Sequence, residues 1–204
     1  MDFKQQLQRL NLESDVVVIA IVAIALILIL LVNRRRLTMH WREWRIQRSL
    51  KRIGSEQIRN LVCADGLDGY YHIDRLALTR DAILLVSYKP YGGNIYCAER
   101  ISEWTQVVEQ KSFKFANPLF ELENQVTALK LLIDDVPMRG YLFFNQGARF
   151  PKGHPESVLQ ADTIPEPFLA ENCEPINADI LHAWKVLKSH QTEASAGERI
   201  SVKT

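Results

Sequence analysis

The chain has 204 residues, 47% of them apolar and 24% charged, with a formal net charge of +1. This length suits one domain of about 150 residues with additional segments, and the apolar share is sufficient for a hydrophobic core. The charge is uneven, because residues 33–52 carry +7 whereas residues 53–204 hold 15 basic and 20 acidic side chains. A strongly basic nucleic-acid module is therefore excluded for the larger part of the chain. Three cysteines without close spacing exclude a disulfide framework and a zinc knuckle.

The first element in chain order is an apolar run, Val16–Val32, with 17 consecutive apolar residues and no charge, Pro or Gly. At about 1.5 Å per residue, a helix of this length spans roughly 25 Å, the short end for a membrane helix. Three arginines follow at residues 34–36, and such a basic flank stays in the cytoplasm, whereas a signal peptide carries its positive charge before the apolar run. We therefore predict a single-pass protein of the inner (cytoplasmic) membrane. Residues 1–15 lie outside, residues 16–33 form the transmembrane helix and the C-terminal domain is cytoplasmic.

Residues 34–52 are predicted to form a basic juxtamembrane helix. Trp41 and Trp44 lie three positions apart, with arginines between and after them. Tryptophan favours the headgroup zone of a membrane, and arginine there meets anionic lipid. An arginine cluster also neutralises nucleic-acid phosphate, which is the alternative interpretation. Because the segment adjoins the apolar run, we predict that Val16–Val32 and this Arg-rich flank bind membrane lipid.

Residues 53–164 are typical of an α/β domain with a sheet of mixed strand direction. Apolar residues at helical spacing predict the helices, and β-rich runs bounded by turn residues predict the strands. In chain order the predicted elements are a helix over Gly54–Val62, strands over Tyr70–Leu78, Ala82–Lys89 and Ile95–Cys97, a helix over Leu119–Ile133 and a strand over Met138–Phe144. Residues 165–204 add a predicted helix over Ala178–Ser189 and a polar, disordered tail. The predicted fold class is therefore α/β, with an N-terminal transmembrane helix before an αβββαβ domain.

Short motifs in a fixed order stand within this domain. They are G-S-E at 54–56, H-I-D-R at 72–75, S-Y-K at 87–89 with Y-G-G-N-I at 91–95, and N-P-L-F-E-L-E-N-Q-V-T-A-L at 117–129. Together they resemble the nuclease-related domain (NERD) family, which is similar to the PD-(D/E)xK nuclease superfamily. The resemblance implies an αβββαβ core with an Asp and a Glu-x-Lys on adjacent strands, and nucleic acid as a partner.

The resemblance also implies roles for particular side chains. Asp74 is the expected metal ligand, and Lys89 is the cation that positions the attacking water. Glu56 is the candidate third carboxylate or base, so that Asp74 and Glu56 together would hold Mg²⁺. Magnesium held by carboxylates suits phosphodiester hydrolysis, because it stabilises charge on the phosphate and activates water.

Ser87 is the main departure from the family pattern. It stands where the family has its strand glutamate, and it offers a hydroxyl but no charge. The loss of one anionic ligand weakens a divalent site unless Glu56, Glu99 or Glu103 reaches into it. The resemblance therefore implies a magnesium-dependent nuclease with a degenerate active site that has weak or absent activity.

Ordinary structural roles are the alternative for the same residues. Asp74 would then be a surface carboxylate paired with Arg75 or Arg80. Lys89 would be a solvated cation at a strand end, and Glu56 an exposed residue in the first turn of a helix, where the helix dipole favours it.

Four further polar features have both a structural and a functional interpretation. His72 is a candidate metal ligand beside Asp74 or a hydrogen-bond donor to such a ligand, and the alternative is a histidine that packs with its ring nitrogens satisfied. The loop Phe150–Pro155 is a candidate substrate or partner contact, or an ordinary connector. Asn117 is predicted to cap the helix that Pro118 begins. Gln125 is predicted to face the sheet, with a surface glutamine as the alternative.

Three functions remain open. The first is a membrane-tethered, magnesium-dependent nuclease that acts on cytoplasmic DNA or RNA. The second is a non-catalytic nuclease-like domain that binds nucleic acid or a protein near the membrane. The third is a docking or scaffold subunit that contacts other membrane proteins. No Walker loop, dinucleotide-binding glycine motif or HExxH zinc motif is present in the sequence, so nucleotide hydrolysis, redox chemistry and zinc proteolysis have no support.

Overall fold

The structure, a computed structural model, describes residues 22–23, 28–34, 38–64, 69–133, 136–174 and 176–201, with side chains through residue 191. The chain divides into two compact units, residues 1–45 and 46–204.

In the first unit, residues 22–23, 28–34 and 38–45 are helical. Trp41 and Trp44 are both exposed, and their ring centroids lie 5.9 Å apart. Most of the predicted transmembrane run, Val16–Val32, lies outside the described residues. Within the part of the chain that is described, no helix combines the length and the apolar character needed to cross a membrane. The transmembrane anchor therefore stays a prediction.

The second unit is a mixed α/β structure. Its strands, in chain order, are β1 (Glu56–Ala64), β2 (Tyr70–Leu78), β3 (Ile83–Lys89), β4 (Gly93–Tyr96), β5 (Glu103–Val108), β6 (Lys111–Ala116), β7 (Met138–Phe144), β8 (Ala148–Arg149) and β9 (Val158–Gln160). Its helices are α1 (Pro118–Lys130) and α2 (Ala178–Ser201), and residues 46–50 are also helical.

These strands form two mixed sheets. The larger sheet has the order β1-β2-β3-β7-β9, with antiparallel pairing from β1 to β3 and parallel pairing from β3 to β9. The smaller sheet has the order β6-β5-β4-β8, antiparallel except for the parallel β4–β8 pair. The predicted α/β class with mixed strand direction is therefore confirmed.

Both faces of the larger sheet are covered. The main hydrophobic core combines side chains from this sheet with buried residues of α1 and α2, including Leu122 and Trp184. A second core lies on the opposite face and contains Ile46 and Leu50 from the helical residues 46–50. The second unit therefore begins earlier than the predicted boundary at residue 53.

Glycine is required where the chain enters β1. Gly54 has a left-handed φ of +71°, and a side chain at this position would lie 2.6 Å from the carbonyl oxygen of Leu78. Its amide donates to the Phe168 carbonyl at 2.8 Å. The first residue of the G-S-E motif is therefore glycine for a structural reason, because the turn passes close to β2 and leaves no room for a side chain.

β1 is a strand where the sequence predicts a helix, and this prediction is wrong. Asn60 has a left-handed φ of +53° in the middle of the strand. The alternation of buried residues breaks there, so that Ile58 and Leu61 are both buried although they are three positions apart. The facing strand repeats this spacing at Ile73 and Leu76. Because a spacing of three or four residues is also that of a helix face, periodicity alone gave the wrong element.

Other elements agree more closely with the prediction. β2 and β7 have the predicted bounds, β3 begins one residue later than predicted, and α1 covers most of the predicted helix. The predicted third strand is β4, two residues earlier than expected at its start. The C-terminal helix extends to Ser201, into the residues predicted to be a disordered tail. The β5–β6 hairpin and the short strands β8 and β9 were not predicted.

Candidate functional site

The candidate site lies where β2 and β3 separate. These two strands are paired only from Leu76–Leu85 to Leu78–Ile83, although each continues in contact with its other neighbour. Continuing the register by two residues would place Asp74 opposite Ser87. The sheet therefore opens between the first half of β2 and the end of β3, and we call this region the β2–β3 opening. The predicted residue Asp74 lies on the β2 side of this opening, and Ser87 and Lys89 lie on its β3 side.

Lys89 lies on the side of the β2–β3 opening that α1 covers. Ser87 and Lys89 alternate onto the same face as the core residue Leu85. The Lys89 Nζ atom is 3.5 Å from Oε2 of Glu121, and the lysine side chain is only 21% exposed. Lys89 is therefore neither a freely solvated cation nor an unpaired one, because a helix carboxylate neutralises its charge.

Glu121 is the residue that sequence reasoning missed at this site. It lies in the first turn of α1, which Asn117 caps by accepting a hydrogen bond from the Leu119 amide at 2.9 Å. Gln125 lies one turn further on and is 6% exposed, and its Nε2 atom is 3.4 Å from both Glu121 Oε1 and the His72 carbonyl. The predicted cap and the predicted inward position of Gln125 are thus confirmed. The i, i+4 spacing of Glu121 and Gln125 was the available signal, since it places both side chains on one helix face.

Glu56 does not belong to the β2–β3 opening. It is the first residue of β1 instead of a helix residue, and it pairs with Leu78 of β2. Leu78 lies four positions after Asp74 in β2, which is about 13 Å along the strand. Its carboxylate accepts a hydrogen bond from Trp184 Nε1 at 2.8 Å and another from Lys188. The Lys188 and Trp184 hydrogen bonds lower the pKa of Glu56. Glu56 therefore attaches α2 to the sheet.

Asp74 is exposed, and its neighbour Arg75 turns away from it into the protein. Arg75 donates to Gln47 Oε1 at 2.8 Å and to Gln57 Oε1 at 3.4 Å. Burial lowers the pKa of Arg75 to about 10; nearby Arg59 acts in the same direction and Asp74 opposes it. Arg80 lies 3.9 Å from Asp81. Among the described residues, the surface ion pairs proposed as the alternative role of Asp74 are therefore not formed.

The donor set of the β2–β3 opening does not fit a magnesium site. Among the residues that the structure describes, no three His, Cys, Asp or Glu side chains come together as metal ligands. The expected pair, Asp74 and Glu56, is too widely separated to share an ion whose ligands lie at about 2.1 Å. Ser87 contributes no charge, and Glu121 is occupied by Lys89.

Comparison with known proteins identifies the family. The model of the nuclease-related domain, NERD, matches residues 39–145. This is more than half of the chain. The chain belongs to the NERD family. An uncharacterised protein of Bacillus anthracis is 31% identical over 62 residues, which are 30% of this chain and 29% of that relative's length. No solved structure matches the chain.

The NERD match includes the whole β2–β3 opening with Glu121, and it ends in the turn after β7. The later elements β8, β9 and α2 lie beyond it. The family match therefore does not include the loop before β9 or the helix α2 that contacts Glu56.

Proposed function

We propose that this NERD-domain protein binds nucleic acid and cleaves it weakly or not at all. The observation that carries the proposal is the composition of the β2–β3 opening. The β3 side of the opening carries the neutral Ser87, and Lys89, two residues further along the strand, is paired with the Glu121 carboxylate. Membership of a nuclease-related family supports nucleic acid as the ligand.

The expected weakness of catalysis follows from charge. A divalent ion at a phosphodiester needs anionic oxygen ligands, and its affinity rises with their number and charge. Asp74 is the one carboxylate that the β2–β3 strands supply at the opening, since Glu56 is engaged by α2. A lysine neutralised by Glu121 also stabilises developing negative charge less than a free one would.

We further propose that the protein is anchored in the inner membrane by residues 16–33, with its α/β domain on the cytoplasmic face. The uninterrupted apolar run and the three arginines after it support this orientation. The exposed pair Trp41 and Trp44 suits the lipid headgroup zone. Membrane lipid is then a partner of the Arg-rich flank.

The orientation can be tested with reporters joined after Thr204 in bacterial cells. Alkaline phosphatase, which is active only outside the cytoplasm, is expected to give no signal above background, because the basic flank keeps the domain inside. Green fluorescent protein at the same position is the matched control and is expected to fluoresce. An active phosphatase with a dark fluorescent fusion would contradict the proposed orientation.

A docking subunit of a membrane complex is the second candidate function. The 20 acidic and 15 basic side chains of residues 53–204 give this part a net charge of −5, which repels polyanions. Two large apolar side chains, Phe120 within α1 and Leu131 at its C-terminal end, are 42% and 78% exposed and suit a protein partner. Failure of the protein to bind nucleic acid would favour this function.

Catalysis is tested by restoring the missing charge. The wild-type protein is expected to show no magnesium-dependent nicking of supercoiled plasmid. Ser87→Glu is expected to bind Mg²⁺ about tenfold more tightly in calorimetry, because it adds an anionic ligand on the β3 side of the opening. The neutral variant Ser87→Gln is the matched control and is expected to bind like the wild type.

The role of Asp74 follows from the same assay. Any nicking by Ser87→Glu should disappear when Asp74→Ala is added. Efficient nicking by the wild type that Asp74→Ala abolishes would overturn the proposed weakness of catalysis, and Glu121 would then be the first candidate for the missing carboxylate.

A further inference from the structure

A groove with several basic side chains lies on the surface of the second unit, and none of its lining residues belongs to the β2–β3 opening. It has a volume of about 570 Å³, within the range of ligand-binding clefts. One wall is formed by residues 97–100, which follow β4, and the other by residues 152–155, in the loop between β8 and β9. Arg100, Lys152 and His154 line it, together with a single carboxylate, Glu99. We call it the Arg100–Lys152 groove.

The first wall is held by two buried side chains. Asn117 Nδ2 donates to the carbonyl oxygens of Glu99 at 3.0 Å and Ile101 at 2.8 Å. Trp104 Nε1 donates to the carbonyl oxygen of Ala98 at 3.0 Å. Since Asn117 is 3% and Trp104 0% exposed, both anchors belong to the core, and they fix the backbone that carries Arg100.

The second wall is also held. The Gly153 amide donates to the Phe150 carbonyl at 3.0 Å, which closes a tight turn. The Phe150 ring packs edge-on against the buried Phe144, and the His154 ring lies 4.9 Å from Phe150. Cys97 connects the two walls, because its Sγ atom lies 3.7 Å from the Gly153 carbonyl oxygen. Burial raises the pKa of Cys97 to about 11, so the thiol adds no negative charge at neutral pH.

The cations of this groove remain available for a ligand. None of the ion pairs in the described part of the chain involves Arg100 or Lys152. The Lys152 Nζ atom lies 5.8 Å from the centroid of the Tyr96 ring. Two permanent cations and a histidine outnumber Glu99, although residues 53–204 as a whole are acidic. A local excess of positive charge within an acidic domain is expected to select anions at this place.

We propose that the Arg100–Lys152 groove binds the backbone of single-stranded nucleic acid, a proposal that rests on the proposed function. Arg100 and Lys152 contact phosphates, and the exposed imidazole of His154 offers a flat surface to a base. Single-stranded nucleic acids are typically bound by basic grooves in which rings stack on successive bases. The His154 ring in the groove lining and the Tyr96 ring 5.8 Å from Lys152 Nζ favour this ligand over a lipid headgroup, which offers no base to stack.

The test uses the full-length chain in detergent and a fluorescein-labelled single-stranded 12-mer, with anisotropy as the readout. Arg100→Ala/Lys152→Ala is expected to bind about tenfold more weakly than the wild type. The slope of log K against log salt should become less steep by about 1.4, since each of the two lost phosphate contacts on a single strand contributes about 0.7. Lys130→Ala/Lys185→Ala removes the same charge from exposed helix positions and is expected to stay within twofold of the wild type.

The variant Arg100→Lys/Lys152→Arg keeps both positive charges and is expected to retain binding. It therefore shows whether a loss of affinity in Arg100→Ala/Lys152→Ala comes from lost phosphate contacts or from a disturbed fold. Equal affinity and an equal salt slope for the wild type and Arg100→Ala/Lys152→Ala would contradict binding at this groove. The proposed function, nucleic-acid binding by the protein, would still stand. A loss confined to binding of phosphatidylglycerol vesicles would overturn it in favour of lipid. If the wild type binds no 12-mer at low salt, the proposed function fails and the groove proposal fails with it.

Discussion

Replacement of Trp184 by alanine is expected to lower the free energy of unfolding by about 4 kcal/mol, the range for truncating a buried aromatic side chain. Trp184 is 1% exposed and belongs to the main core, together with Ile180 and Leu187 of α2 and residues of β1. The substitution removes this packing and the hydrogen bond from the indole to Glu56. Urea denaturation followed by far-UV circular dichroism measures the change.

Trp184→Phe is the matched control for this effect. It keeps an aromatic ring in the core but removes the N–H group that Glu56 accepts. A cost of about 1 kcal/mol is expected, because a hydrogen bond to a half-exposed carboxylate contributes little. If Trp184→Ala unfolds at the same urea concentration as the wild type, α2 is not part of the cooperative unit. α2, which lies beyond the NERD match, would then unfold independently of the rest of the second unit.

Replacement of Arg75 by alanine is expected to cost about 3 kcal/mol of unfolding free energy. Arg75 is 6% exposed, and its guanidinium donates to Gln47, one of the helical residues 46–50, and to Gln57 of β1. Alanine removes both donors and leaves a cavity in their place. Thermal and urea denaturation of the variant provide the measurement.

Arg59→Ala is the control for Arg75→Ala. Arg59 pairs with Arg75 in the β1–β2 register, but its side chain is exposed. Its removal is expected to change the unfolding free energy by less than about 0.5 kcal/mol, as for most surface substitutions. Similar losses for the two variants would show that charge in this strand pair, and not the buried hydrogen bonds of Arg75, contributes the stability.

These two positions also concern function, because both hold the β1–β2 pair that presents Asp74. Trp184 and Lys188 hold the start of β1 through Glu56, and Arg75 holds β2 immediately beside Asp74. Changes at either position are expected to loosen the β2–β3 opening. Variants of the opening itself are therefore best interpreted with unfolding data alongside the binding data.

Local sequence patterns determined much of the central fold. The alternation of β2, the apolar run that begins β3, the aromatic residues of β7 and the Asn-Pro start of α1 depend on neighbouring residues alone, so they could be predicted from the chain. The motif order over 54–129 likewise indicated the family to which the chain belongs. Adjacent strands joined by a short turn place Asp74 on one side of the β2–β3 opening and Ser87 and Lys89 on the other, and their joint role as a site stays a prediction.

Tertiary structure decided the rest, because periodicity reports burial but not the partner that buries a residue. β1 needed the β2 register and the left-handed Asn60 to be distinguished from a helix. Glu56 is held by Trp184, 128 positions away, and Lys89 by Glu121, from another element. No local sequence pattern predicts these side-chain pairs, since they form only when the helices pack onto the sheet. The Arg100–Lys152 groove likewise exists only because two separate loops end side by side.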